Sequence, residues 1–216
     1  MEARLTKIDS SEVARYLGVR GAPDPELLDR VEALGSDLMA AAKPRLVWRR
    51  LPMTEENDYL IAGQDLRNLL RGCGEIVLFA ATLGSEVELL IKRTQVRDMA
   101  EALILDACAD GAIENVCDNF CADLAAQVAP NYLTDRYSPG YGDLPLGHQK
   151  VLFSALNVTR RIGVTLTESG LMLPQKSVTA ILGVSPTPRS RRSGCGHCPM
   201  RDICAFRKEG KTCEDQ

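Results

Sequence analysis

Over residues 97–128 the chain runs without a proline, and Gly111 is the one evident break. The stretch is rich in Ala, Leu, Asp and Glu. Most of these lose little side-chain freedom in a helix, so it predicts one or two long helices, stopped by Pro130. A chain of 216 residues fits one large domain, or one domain with a small appendage, and can bury a sizeable core.

The flanking sequence adds shorter elements. Ser10 or Ser11 can cap a helix carrying Val13, Tyr16 and Leu17, with Gly18 as its stop. Asp24-Pro25-Glu26 opens a second helix, with Leu27, Leu28, Val31, Leu34, Leu38 and Met39 at helical spacing. Residues 45–51 form a short strand candidate, and 64–70 a short helix broken by Gly72 and Gly74. Residues 75–81 (EIVLFAA) are a continuous apolar run and read as a buried strand. Ser85 can cap a helix over 86–93. Residues 131–146 are irregular, 147–157 read as helix, and 164–168 and 177–182 as strands. Helices and strands alternate loosely, so the class is α/β or α+β.

The formal net charge of -3 offers no global positive field, which argues against a general nucleic-acid binder. No apolar run is long enough to cross a bilayer, and the first residues lack the apolar core of a signal peptide. The expected location is the cytoplasm, where eight cysteines are thiols or metal ligands rather than disulfides.

The most informative loop is Arg136-Tyr137-Ser138-Pro139-Gly140-Tyr141-Gly142-Asp143. Pro-Gly alone reads as an ordinary turn. The combination goes further. Arg136 offers a forked cation for a carboxylate, the glycines let backbone N–H groups approach a ligand, and Tyr137 and Tyr141 supply flat amphipathic faces. Such a loop suits a zwitterionic, ring-bearing ligand. Asp110, Glu114 and Asp118 share one face of the preceding helix, where a carboxylate could stabilise a cationic ligand; the competing reading is a solvated acidic face.

The Arg-x-x-x-Gly-Tyr pattern of Arg136, Gly140 and Tyr141 resembles the S-adenosylmethionine-binding motif of the activation domain of cobalamin-dependent methionine synthase. A second ordered segment, Leu166-Thr167-Glu168-Ser169 with Met172, Pro174 and Ser177-Val178, resembles that family's other recurring stretch. The resemblance is good over residues 97–187. It implies an α+β fold, with a twisted, largely antiparallel sheet flanked by helices over residues 1–187. It also implies a shallow groove in which Arg136 holds the methionyl carboxylate while Gly140 and Tyr141 contact the nucleoside. Acidic residues near the sulfonium would come from the long helix or the second segment, with Glu114 and Glu168 as the candidates. The implied activity is reductive methylation of a cobalamin carried by a corrinoid partner, fed by an electron-donor protein. One departure is local: Ile181-Leu182-Gly183 stand where methionine synthases carry aromatics.

Residues 188–216 read as a linker and a cysteine-rich tail. Cys195, Cys198, Cys204 and Cys213 form a four-thiol set, with Gly194, Gly196 and Pro199 allowing tight turns. A metal could supply the folding energy that so short a tail lacks. Three readings stay open: an iron–sulfur cluster, which tolerates uneven spacing; a tetrahedral zinc site; or an unmetallated tail. His197 is a conceivable substitute ligand. Cys117 and Cys121 lie one helical turn apart and read with Cys108 as core. Two further functional classes compete with reactivation: a ligand-binding sensor or adaptor without catalysis, and a metal-dependent interaction protein.

Overall fold

The structure, a computed structural model, describes residues 1–19 and 21–188. The tail cysteines Cys195, Cys198, Cys204 and Cys213, with His197, lie outside the described residues. Among the described residues no helix is long and apolar enough to cross a membrane.

The long proline-free stretch is a single helix, α5 (Met99–Val128). Gly111 does not break it. It faces the N-terminal segment, where a Cβ would meet Val13 at 3.6 Å and Ile8 at 3.9 Å, both ordinary contacts. The break lies at Asp98, more than three helical turns before Gly111. Asp98 separates α4 (Ser85–Arg97) from α5, and its carboxylate accepts from Ala100 N at 2.8 Å and Glu101 N at 3.0 Å.

The N-terminal helices follow the same capping logic. Asp9, not Ser10 or Ser11, caps α1 (Ser10–Tyr16), accepting from Ser11 N and Glu12 N. Asp24 caps α2 (Pro25–Ala41), with Pro25 in the first turn as the sequence predicts. At the start of α4 the cap position belongs to Gly84 at φ 90°, and Ser85 is already helical. A side chain at 84 would also press on the Lys43 carbonyl, 3.3 Å from its Cβ.

The main sheet has the order β1-β2-β6-β3, every neighbouring pair antiparallel. β1 is Arg45–Pro52, β2 Glu75–Thr82, β3 Tyr132–Leu133 and β6 Ser177–Ser185. Between β1 and β2 the chain forms a 3-10 turn (Glu55–Leu60) and α3 (Gln64–Leu70). After β3 come a second 3-10 turn (Leu146–His148), α6 (Gln149–Leu156) and α7 (Val158–Ile162). The strand expected over 164–168 shrinks to β4 (Thr165–Leu166), which pairs only with β5 (Met172–Leu173) in a separate hairpin. The shortening has a local cause: the Thr167 hydroxyl accepts from Leu171 N at 3.0 Å and starts the turn.

An antiparallel sheet often leaves one face wet, giving alternating strands. β2 does not alternate because both faces are covered. Val77, Phe79 and Ala81 pack in the cluster built around α5, with α1, α2 and α4 contributing residues. Ile76, Leu78 and Ala80 pack in a second cluster with Leu66, Leu70, Leu152 and Ile162 from α3, α6 and α7. β6 divides in the same way, with Ala180 and Leu182 in the first cluster and Ile181 in the second. The result is an α+β architecture of helix, sheet and helix layers, as expected.

Phe120 joins α5 to the sheet. It is 2% exposed, its ring centroid 4.8 Å from that of Phe79 on β2 and 6.0 Å from that of Trp48 on β1. Phe120→Ala should therefore lower unfolding free energy by about 3–5 kcal/mol, the range for deleting a buried aromatic. Urea denaturation followed by circular dichroism checks this, with an unchanged m-value expected if only the folded state is affected.

Candidate functional site

Arg136 and Tyr137 continue the edge of the sheet beyond β3. Tyr137 N donates to the Ile181 carbonyl and Ile181 N to the Tyr137 carbonyl, each at 2.9 Å. Adjacent residues on an extended edge point to opposite faces. Arg136 accordingly turns toward α5, while Tyr137 is buried in the cluster beneath α3 and α6.

On the α5 side, Arg136 Nη2 lies 2.7 Å from Glu114 Oε2 and 3.0 Å from Asp118 Oδ1. Its Nη1 is buried without a hydrogen-bond partner. Burial works against the cation, but Cys117, Glu114, Cys121 and Asp118 outweigh it and move the guanidinium above its ordinary pKa. The reciprocal effect on the thiols is small: burial pushes Cys117 up to about 12 and Cys121 to about 11. Both are therefore neutral thiols near pH 7, as a core role requires. Cys108 and Cys117 are buried, and Cys121 is half-buried.

The acidic face of α5 is not simply solvated. Glu114 and Asp118 meet Arg136, and Asp110 meets Lys176, with Asp110 Oδ1 2.6 Å from its Nζ. Lys176, whose side chain is 12% exposed, also takes Asp106 at 3.0 Å. The three carboxylates at helical spacing thus divide between two cations, Lys176 just before β6 and Arg136 beyond β3.

On the other face, Tyr137 and Tyr141 meet edge-to-face with centroids 6.2 Å apart, and the Tyr137 hydroxyl lies 3.5 Å from Asp65 Oδ2. Gly140 (φ 92°) and Gly142 (φ 50°) take backbone conformations that side chains resist. A Cβ at 142 would also collide with the Tyr137 hydroxyl and the Asp65 carboxylate. Asp143 then reaches the start of α3, accepting from Gln64 N at 2.5 Å and Asp65 N at 3.1 Å. The loop is thereby bolted to a helix more than seventy residues upstream, through a cap supplied from outside that helix.

The two sequence segments converge on Leu146. Its side chain comes within 3.5 Å of a Cβ position at Gly140 and 3.6 Å of one at Gly170. Gly170 closes the turn that carries Glu168, which is exposed. Gly140 therefore lies close to the hairpin, and Arg136 with Glu114.

Beside Arg136 an open groove of about 950 Å³ runs between α5 and the sheet edge. Asp118, Cys121 and Ala125 line one side; Tyr132, Asp135 and Arg136 the other; Leu182 reaches it from β6. Gly140, Tyr141 and Glu168 do not line it. The missing aromatics near 181–183 have a packing explanation at one position. A side chain at Gly183 would sit within 3.1 Å of Cys73, Leu70 and Thr134, whose atoms fill that space.

A family model described as the activation domain of vitamin B12 dependent methionine synthase matches residues 71–206. The chain belongs to this family. The match takes in β2, α5, the Arg136 loop, the β4–β5 hairpin and β6, and begins at the residue after α3. A solved structure described as the MetH reactivation domain bound to AdoHcy is similar in fold, with a TM-score of 0.63 and 18% identity. The alignment covers 94% of this chain and 82% of that one. No curated protein matches.

Within the activation-domain fold, sequence reasoning had placed Asp118 only on a shared acidic face; it is a direct partner of Arg136. It missed Asp65, Asp143 and Leu146 as supports of the loop. Asp143 carried a faint signal as the acid ending a glycine-rich turn, whereas Asp65 and Leu146 carried none. Among the described residues no cluster of three or more metal-binding side chains occurs. Asp143→Ala should expose the first amides of α3 and cost about 1 kcal/mol, the usual value of a lost cap. Hydrogen exchange at Gln64 and Asp65 should speed up while α5 amides stay protected.

Proposed function

We propose that the chain binds S-adenosylmethionine beside Arg136 and presents its methyl group to a reduced cobalamin held by a methionine synthase or related corrinoid methyltransferase. The observation that carries this reading is the unpartnered edge of Arg136. Its Nη2 is occupied by Glu114 and Asp118, while Nη1 is buried with no acceptor. A ligand carboxylate at Nη1 would remove a buried unsatisfied donor, a gain of about 1–3 kcal/mol. A ligand held there would lie near the Glu114 and Asp118 carboxylates, and Glu114 would suit its sulfonium or ammonium charge. Gly140 and Tyr141 are the proposed nucleoside contacts, with the buried Tyr137 supporting Tyr141 through its ring rather than facing the groove, and Glu168 is a candidate from the hairpin.

The chemistry asks little acid or base of this chain. The sulfonium carbon–sulfur bond breaks with its electron pair left on sulfur, and the methyl group joins the partner's cobalt. One electron from a donor protein must first bring cobalt from the +2 to the +1 state. The chain's contribution is position and the exclusion of competing orientations. Cys195, Cys198, Cys204 and Cys213 are the proposed ligands of an iron–sulfur cluster or zinc, and a cluster would suit the electron this step consumes.

Calorimetric titration of anaerobically purified protein with S-adenosylmethionine tests the reading. Saturable binding is expected, weakened roughly ten- to hundredfold in Arg136→Ala and less in Arg136→Lys, which keeps the charge but loses the fork. Failure of the intact chain to bind, or unaltered binding by Arg136→Ala, would refute it. Methyl transfer to a reduced corrinoid partner then separates a reactivation component from a sensor.

A further inference from the structure

The edge that carries Arg136 pairs with β6 in two registers. Leu133 stands opposite Val184, but Tyr137 stands opposite Ile181. Three residues, 134–136, therefore face only two on β6, 182 and 183. Thr134 N donates to the Gly183 carbonyl at 3.0 Å, so Thr134 goes with Gly183, and Asp135 and Arg136 share Leu182. The arrangement is a β-bulge, one extra residue on one strand of an antiparallel pair. Side-chain bonds hold it. Gly183 N donates to the Thr134 hydroxyl at 2.8 Å, and that hydroxyl donates to the Asp135 carbonyl at 3.0 Å.

The bulge changes what the edge presents. Leu133 packs in the cluster built around α5. Strict alternation from there would bring Asp135 to the α5 side and send Arg136 to the opposite, apolar layer. The extra residue brings both to one side, and Asp135, Arg136 and Leu182 line the same groove. Consecutive Cα atoms lie about 3.8 Å apart, so an acid and a cation open onto the groove as neighbours. The acid precedes the Arg-x-x-x-Gly-Tyr pattern and forms no part of it.

We propose that Asp135 is a specificity-determining residue: with Arg136 it reads an α-amino-acid headgroup, Arg136 taking the carboxylate and Asp135 the ammonium. The assignment rests on the ligand reading above and narrows it. Such a headgroup carries both charges on one carbon, so it needs two complementary groups side by side. Glu114 and Asp118 reach Arg136 from α5 and hold its Nη2, whereas Asp135 belongs to the sheet-edge wall of the groove. An ionised carboxylate only accepts hydrogen bonds and an ammonium only donates them, which suits the pair. Asp135 is half-buried, so a charge-assisted bond there is screened less than one on the open surface.

Calorimetry of the full chain with two ligands tests the assignment: S-adenosylmethionine, and its deaminated analogue with hydrogen in place of the α-ammonium. Wild-type protein should bind the analogue roughly tenfold more weakly, the low end for one charge-assisted bond. Asp135→Asn should bind S-adenosylmethionine roughly tenfold more weakly, yet bind the analogue as wild type does, because both changes remove the same contact. Unaltered analogue binding also shows that the variant is folded. Asp135→Asn binding S-adenosylmethionine as tightly as wild type would overturn the proposal. So would an equal loss for both ligands, which would make Asp135 a support of the bulge and not a contact. Either result leaves the ligand reading standing. Wild-type protein that binds neither ligand, or Arg136→Ala that binds both unchanged, would refute that reading and this proposal together.

Discussion

Phe120 presses on Phe79 from above while the opposite side of β2 packs on α3, α6 and α7. That two-sided burial of the central strands is the constraint from which the rest of the molecule follows. With both faces of β2 and β6 removed from water, the sheet edge formed by β3 and Arg136-Tyr137 is fixed to within an ordinary hydrogen bond of Ile181. Full burial of each large apolar side chain contributes about 1.5–3 kcal/mol, so the frame gives the loop a firm edge to attach to.

The loop uses that support. Its glycines adopt positive φ, and paired backbone bonds tie Tyr137 to Ile181. Asp143 secures the far side by capping α3, and Leu146 fills the gap toward the hairpin. On the other face, Arg136 faces carboxylates spaced one helical turn apart on α5. The edge of the sheet thus sorts chemistry by parity: the cation goes to the acidic helix, and the aromatic ring to the apolar layer. A one-residue slip of this edge would exchange the two and bury the charge among leucines.

The acidic stripe illustrates how composition alone underdetermines a surface. Asp110, Glu114 and Asp118 are equivalent in the sequence of α5, yet they serve different partners. Lys176 stands just before β6, whereas Arg136 lies beyond β3. Which acid meets which cation depends on where α5 crosses the sheet, and Phe120 is packed at that crossing against Phe79 and Trp48.

Local physics was legible in the chain from the start. The absence of proline over residues 97–128 dictated a long helix, Asp24-Pro25 a capped start, and the EIVLFAA run a buried strand. The Arg-x-x-x-Gly-Tyr loop and its downstream companion pointed to the activation-domain family, because turn glycines and a forked cation must sit at fixed spacing along the chain. Tertiary structure alone decided that Asp65 and Asp143 support the loop, that Leu146 joins it to the hairpin, and that Glu114 and Asp118 converge on Arg136. Each of these depends on side chains far apart in sequence meeting across a packed sheet. No local propensity encodes such meetings, since they are fixed only when the whole core closes.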